Sequence, residues 1–205
     1  MNLKKHFKPQ TKPFRVLHTD EHAKKIICEK IISWFPKFPR EYIVVCIGTD
    51  RSTGDALGPL TGTLFSENKP KHMTVYGTLH DPVHATNLHN YIDKIKHNHR
   101  NPFIIAVDAC LGKSSSVGYI LANKGPLKPG AAFNKTLPEI GNIHLTGVVN
   151  VSGFMEYSVL QNTRLSFVND MASKIASTLS MIDDRLTHHR SSPAIVLSSI
   201  NKKTI

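Results

Sequence analysis

Apolar positions along the chain follow two rhythms, and their alternation predicts the fold. Over residues 20–35, Ala23, Ile26, Ile27, Cys28, Ile31, Ile32 and Phe35 recur at helical spacing, with Asp20 and Glu21 at the start and Pro36 beyond the end. This predicts a packing helix. Residues 43–47 are instead one apolar run without polar alternation, as in a strand covered on both faces. A loop bounded by Gly48 and Gly54 leads into a helix expected over 56–66, where Pro59 is tolerable in the first turn. A short strand at 73–76 precedes a loop over 77–85 and a helix carrying Leu88, Tyr91, Ile92 and Ile95 at steps of three and four.

The second half repeats the alternation less regularly. A strand is expected over 103–107 and another over 117–122, which begins an irregular Gly- and Pro-containing stretch through 135. An extended segment over 143–153 then precedes one long amphipathic helix over 154–182. Strands alternating with helices predict an α/β protein, a three-layer α/β/α sandwich with a mostly parallel central sheet. The expected organisation is a basic arm over 1–19, a single domain over 20–184 and a tail over 185–205.

Two acids stand out against this pattern, Asp55 after the strand at 43–47 and Asp108 after the run at 103–107. In open α/β sheets the ligand crevice lies outside the carboxyl ends of the strands, so acids delivered there by two strands converge on one site. Such a pair favours one protonated and one ionised carboxyl, able to activate a water and protonate a leaving group, or to bind a divalent metal. Each has a plainer alternative. Asp55 suits the N-cap of the following helix, and Asp108 suits a turn in which its carboxylate accepts backbone bonds.

Composition narrows the partners. The 205 residues carry a formal net charge of +11, of which residues 1–40 hold ten Lys/Arg against three Asp/Glu. The excess therefore belongs to the amino-terminal segment, which could meet DNA or an acidic protein; the rest of the chain offers DNA no evident surface. Residues 1–15 lack a periodic apolar face and are expected to be dispensable for folding. No run reaches the roughly 18 apolar residues of a membrane span, and the start lacks a signal-peptide core, so a cytoplasmic location is expected. Cys28, Cys46 and Cys110 are three cysteines without CxxC spacing, which argues against a disulfide framework or a cysteine zinc site.

The remaining candidates are polar residues near the expected crevice. Asp50 with Arg51 lies in the first loop, to orient substrate or to serve as solvated turn residues, and His80 and His84 lie in the loop after the second strand, to hold substrate or to serve as surface or packing residues. Asn150, Ser152 and Glu156 flank the start of the last helix, where backbone N–H groups could bind a substrate carbonyl or anion, with ordinary helix capping as the plainer alternative. Cys110 is a nucleophile candidate two residues beyond Asp108, although a buried cysteine is commonly a small core hydrophobe. The first loop has neither GxGxxG nor GK[ST], so no nucleotide fingerprint is present.

The strand–Gly48 loop, the run Gly54-Asp55-Ala56-Leu57-Gly58-Pro59, residues 104–109 and residues 146–153 together resemble the germination protease and hydrogenase-maturation endopeptidase group. More closely, residues 42–182, and above all 148–166, resemble the YyaC family of sporulation proteins. The resemblance implies an α/β/α sandwich, a place in the forespore or spore core, and a peptide or protein substrate such as a small spore protein or precursor. It also implies an aspartate-dependent endopeptidase using Asp55 and Asp108, with a non-catalytic relative that binds a peptide in the same cleft as the alternative. The maturation endopeptidases further suggest nickel or zinc, held by the two aspartates with a histidine; His144, His80 and His84 are the candidates for that third ligand.

Overall fold

A computed structural model describes residues 14–38, 40–129 and 137–190. Six strands and five helices follow in the order β1 (Phe14–Leu17), α1 (Ala23–Ile32), β2 (Tyr42–Cys46), α2 (Leu57–Glu67), β3 (Met73–Tyr76), α3 (Leu88–Asn98), β4 (Phe103–Gly112), β5 (Tyr119–Lys124), β6 (Ile143–Val151), α4 (Glu156–Gln161) and α5 (Leu165–Arg190). The strands form one sheet in the order β1-β5-β6-β4-β2-β3. Its four-stranded part, β6-β4-β2-β3, is parallel, whereas β5 and β1 add antiparallel strands, so the sheet is mixed.

All five residues of β2 are buried, which is why its sequence shows no alternation. Tyr42, Val44 and Cys46 join the core formed with α1, α2 and α5, while Ile43 and Val45 join the core formed with α3. The three layers expected from the sequence are therefore present. Phe65, Ile27, Ile31, Met171 and Leu145 are fully buried on the first side, and Ile43, Leu88 and Ile95 on the second. Burial of side chains this size contributes about 1.5–3 kcal/mol each.

Three boundaries differ from the sequence reading. The segment read as a basic arm over 1–19 contributes β1, which pairs with β5 from Phe14↔Ala122 to Leu17↔Tyr119. Val16 is buried there, His18 donates its backbone N–H to the Gly118 carbonyl at 2.9 Å, and Lys30 lies 5.5 Å from the Phe14 ring. Residues 1–13 lie outside the described residues. At the other end α5 continues to Arg190, past the expected start of the tail at 185; residues 191–205 lie outside the described residues, as does 130–136 of the irregular stretch.

The single helix expected over 154–182 is two. The end of α4 is fixed by bonds from outside it: Leu160 O accepts the Gly54 N–H at 2.8 Å, and the Asn162 amide reaches Ser158 O at 2.8 Å. Thr163 Oγ1 donates to Val159 O at 2.8 Å and accepts from Asn150 Nδ2 at 3.2 Å. Carbonyls taken this way end the helix without Gly or Pro, and α5 restarts at Leu165.

The role of β1 is testable by truncation. A chain starting at His18 loses the β1–β5 ladder and uncovers Ile120 and Ala122, both about 1% exposed. Relative to a chain starting at Phe14, its melting temperature should fall by about 5–10 °C, equivalent to ~2–3 kcal/mol at this size. Equal melting temperatures would show that the antiparallel edge adds nothing.

Candidate active site

The site begins where β2 leaves the sheet. Ile47 donates its N–H to Val107 O at 2.7 Å, and Gly48, at φ +145°, donates to Val83 O at 2.8 Å. A Cβ on Gly48 would lie 1.9 Å from the Asp55 carbonyl oxygen, and one on Gly58 would lie 1.9 Å from Ile47 O. Only glycine permits that approach. The first turn of α2 is thereby seated on the end of β2, which brings Asp55 to the rim of the sheet.

Asp55 is not the N-cap of α2. That position is Ala56, with no side-chain cap bond, and the Asp55 backbone carbonyl accepts the Thr49 N–H at 3.3 Å. Asp108 sits within β4 rather than past its end, in register with Thr146 of β6, and its Oδ1 accepts the Ala109 N–H at 2.8 Å. It is 8% exposed. Both carboxyls line one cleft of about 280 Å³, together with Ile47, His84, Cys110, Leu127, Thr146, Glu156 and Leu160.

Neither aspartate is in an ion pair among the described residues. Lys128, the lysine at the cleft, is held by Glu139 at 3.0 Å. Burial pushes the Asp55 carboxyl up to about 6, against the opposing pull of the Thr49 N–H. Asp108 is raised well above the ordinary carboxyl range, first by burial and then by the charge on Asp55, with the Ala109 N–H working the other way. The charge on Asp55 thus opposes ionisation of Asp108, and of the two Asp55 is the one that ionises first as pH rises.

The other candidates divide. His84 lines the cleft, its Nδ1 2.9 Å from Thr86 Oγ1. Asp50 and His80 are exposed and are not among the cleft-lining residues. Asn150 is occupied in tying β6 to α4, and Ser152 is exposed with its N–H on Gly112 O at 2.7 Å. Burial pushes the Cys110 thiol up to about 11, with Thr146 lowering it and Asp108 raising it, so at neutral pH it is a thiol and a poor nucleophile.

The third-ligand expectation does not fit these residues. His144 shares a sheet face with Asp108 but lies two rungs away, opposite Ala106, and its Nδ1 contacts Gly125 O at 3.0 Å. Among the described residues no group of three His, Cys, Asp or Glu is disposed to hold a metal ion. Glu156 is the cleft-lining acid that the sequence offered only as one of several residues near a helix start. Nothing in its spacing marked it, because the fold of α4 against Gly54 brings it in.

The family model described as "Protein of unknown function (DUF1256)" matches residues 15–178. The chain is 54% identical over 169 residues to YyaC of Bacillus subtilis (strain 168), covering 82% of each. Among solved structures it is similar to the [NiFe] hydrogenase maturation protease HycI from Thermococcus kodakarensis KOD1, with a TM-score of 0.50 and 14% identity over 71% of this chain and 93% of that one. At that identity the likeness concerns the fold alone. No helix among the described residues is long and apolar enough to cross a membrane.

The raised carboxyls imply a pH signature in stability. Both groups titrate higher in the folded chain than in the unfolded one, where Asp is near 3.9. Their contribution is fully present below about pH 4 and is lost as pH rises through about 6 for Asp55, and higher still for Asp108. Asp55→Asn should therefore match the wild type near pH 4 and exceed it by pH 8, by at most ~3 kcal/mol. Thermal melts across that range measure the gap; a variant less stable at pH 8 would show that the carboxylate is favourably paired.

Proposed function

We propose that this chain, which belongs to the DUF1256 family, is an aspartate-dependent endopeptidase-like protein whose reaction runs between Asp55 and Asp108. The observation that carries the reading is the pair itself: two carboxyls on one cleft, without ion pairs, held at different protonation by their surroundings. Ionised Asp55 takes a proton from a water as the water oxygen attacks the peptide carbonyl carbon. Protonated Asp108 first hydrogen-bonds the carbonyl oxygen and then gives its proton to the departing amine as the C–N bond breaks. One proton passes from Asp55 back to Asp108 to restore the starting state. General acid–base catalysis of this kind contributes about 10²–10⁴-fold.

The fold shared with a hydrogenase maturation protease supports a peptidase-like scaffold, and the sporulation setting is carried by the sequence resemblance of residues 42–182 alone. The substrate we propose is a small spore protein or precursor, met in the cytoplasm of the forespore or in the spore core. The basic amino-terminal segment would hold the protein near DNA that carries such substrates.

Purified protein incubated with small acid-soluble spore proteins, with fragments identified by mass, tests the reading. Asp55→Asn and Asp108→Asn should each lower turnover by roughly 10²–10⁴-fold while remaining folded. The double variant should be scarcely worse, because the two act as one unit. The rate should rise as pH passes about 6, where Asp55 ionises, and fall again at higher pH as Asp108 loses its proton. Unchanged cleavage in either folded variant rules out the mechanism. Absence of cleavage in the wild type, with peptide still bound in the cleft, makes the protein a binding relative instead.

A further inference from the structure

Strand β4 outlasts its neighbour. Its pairing with β2 ends at Cys46↔Val107, and the last rung is the bond from Ile47 N–H to Val107 O at 2.7 Å. From there the chain turns away, bridging Ile47 to Val83. On the opposite side β4 stays paired with β6 as far as Gly112↔Val151. Residues Asp108 to Gly112 thus have one bonded edge and, among the described residues, one edge without a strand.

That open edge faces the cleft. Phe103 N–H and Val107 O both bond towards β2, so alternation puts the N–H and C=O of Ala109 on the same side. In a continuing sheet the Ala109 N–H would meet a neighbouring strand; here it donates to the carboxylate of Asp108. Ala109, Cys110 and Leu111 all line the cleft. An unpaired stretch of strand backbone beside a reacting group is a template for adding a strand.

We propose that the cleft takes its peptide as an added β-strand, hydrogen-bonded along the open edge of β4 over Asp108 to Gly112. This rests on the peptidase-like reading for its choice of a peptide as occupant. Main-chain pairing at this edge carries the peptide directly past Asp108, and Leu127, Leu137 and Leu160 offer apolar walls to alternate side chains. The charges specify more. The Asp55 and Glu156 carboxyls face the cleft while Lys128 is paired with Glu139, so a basic residue in the bound stretch is complemented there.

The test selects dodecapeptides from a random phage-displayed library on the wild-type protein, then resynthesises them with single N-methyl groups at successive positions. N-methylation should weaken binding about tenfold or more at alternate residues only, because every second peptide amide faces the edge strand. The same peptides should slow amide exchange within 108–112, and Glu156→Gln should weaken the basic ones several-fold at low salt. Selection of no peptide, indifference to N-methylation, or protection confined elsewhere overturns the proposal. Aspartate-dependent cleavage of peptides indifferent to N-methylation would overturn it while sparing the peptidase reading; period-two binding without aspartate-dependent cleavage would do the reverse.

Discussion

The site depends on one close approach of backbone to backbone. Where β2 ends, Gly48 and Gly58 allow the Asp55 and Ile47 carbonyl oxygens to occupy space that a Cβ would claim at 1.9 Å. The same device recurs one turn further on, where a Cβ on Gly62 would lie 1.9 Å from the Gly77 carbonyl oxygen. Helix α2 is therefore seated against the ends of β2 and β3 rather than a side-chain layer above them. Asp55 enters the cleft because of that seating, since its own side chain makes no cap that would fix it. A bulkier residue at either glycine would lift the helix start and part the two carboxyls.

Bringing the carboxyls together works against stability. Both are raised by burial, and Asp108 is raised further by the charge on Asp55, so each is held where its ionised form is disfavoured. Nothing in the described surroundings neutralises them with a cation. What holds them is the sheet on either side: β2 and β4 are apolar and buried from Tyr42 to Cys46 and at nearly every position from Phe103 to Val107. Groups kept in an unfavourable state by a rigid surround are a mark of functional sites.

The sequence disclosed what is local and concealed what depends on distant partners. β2 and β4 were legible because burial on both faces writes an unbroken apolar run. β1 was not, since in Phe14–Leu17 only Val16 is buried and the strand exists through its register with β5, about a hundred residues away. The break between α4 and α5 has no Gly or Pro to announce it, because Gly54 and Asn150 make it from elsewhere in the chain. The meeting of Asp55 and Asp108 in one cleft followed from the two adjacent parallel strands that carry them there, although Asp108 lies within β4, whereas the displacement of His144 is a matter of two rungs of register. Glu156 entered the cleft by the same long-range route that ended α4.

Topology also sets which carboxyl is pushed further from its ordinary range. Asp108 projects from the interior of a strand, flanked in the sheet by β6 and met by a single N–H from its own neighbour. Asp55 stands at a helix entrance, half-buried, with the Thr49 N–H to support its charge. Two identical side chains are therefore unequal before any substrate arrives, and the inequality has one direction, which in the proposed reaction makes the strand residue the acid and the loop residue the base. Exchanging those roles would require moving burial from β4 to the loop, which the glycine-seated entry of α2 does not allow.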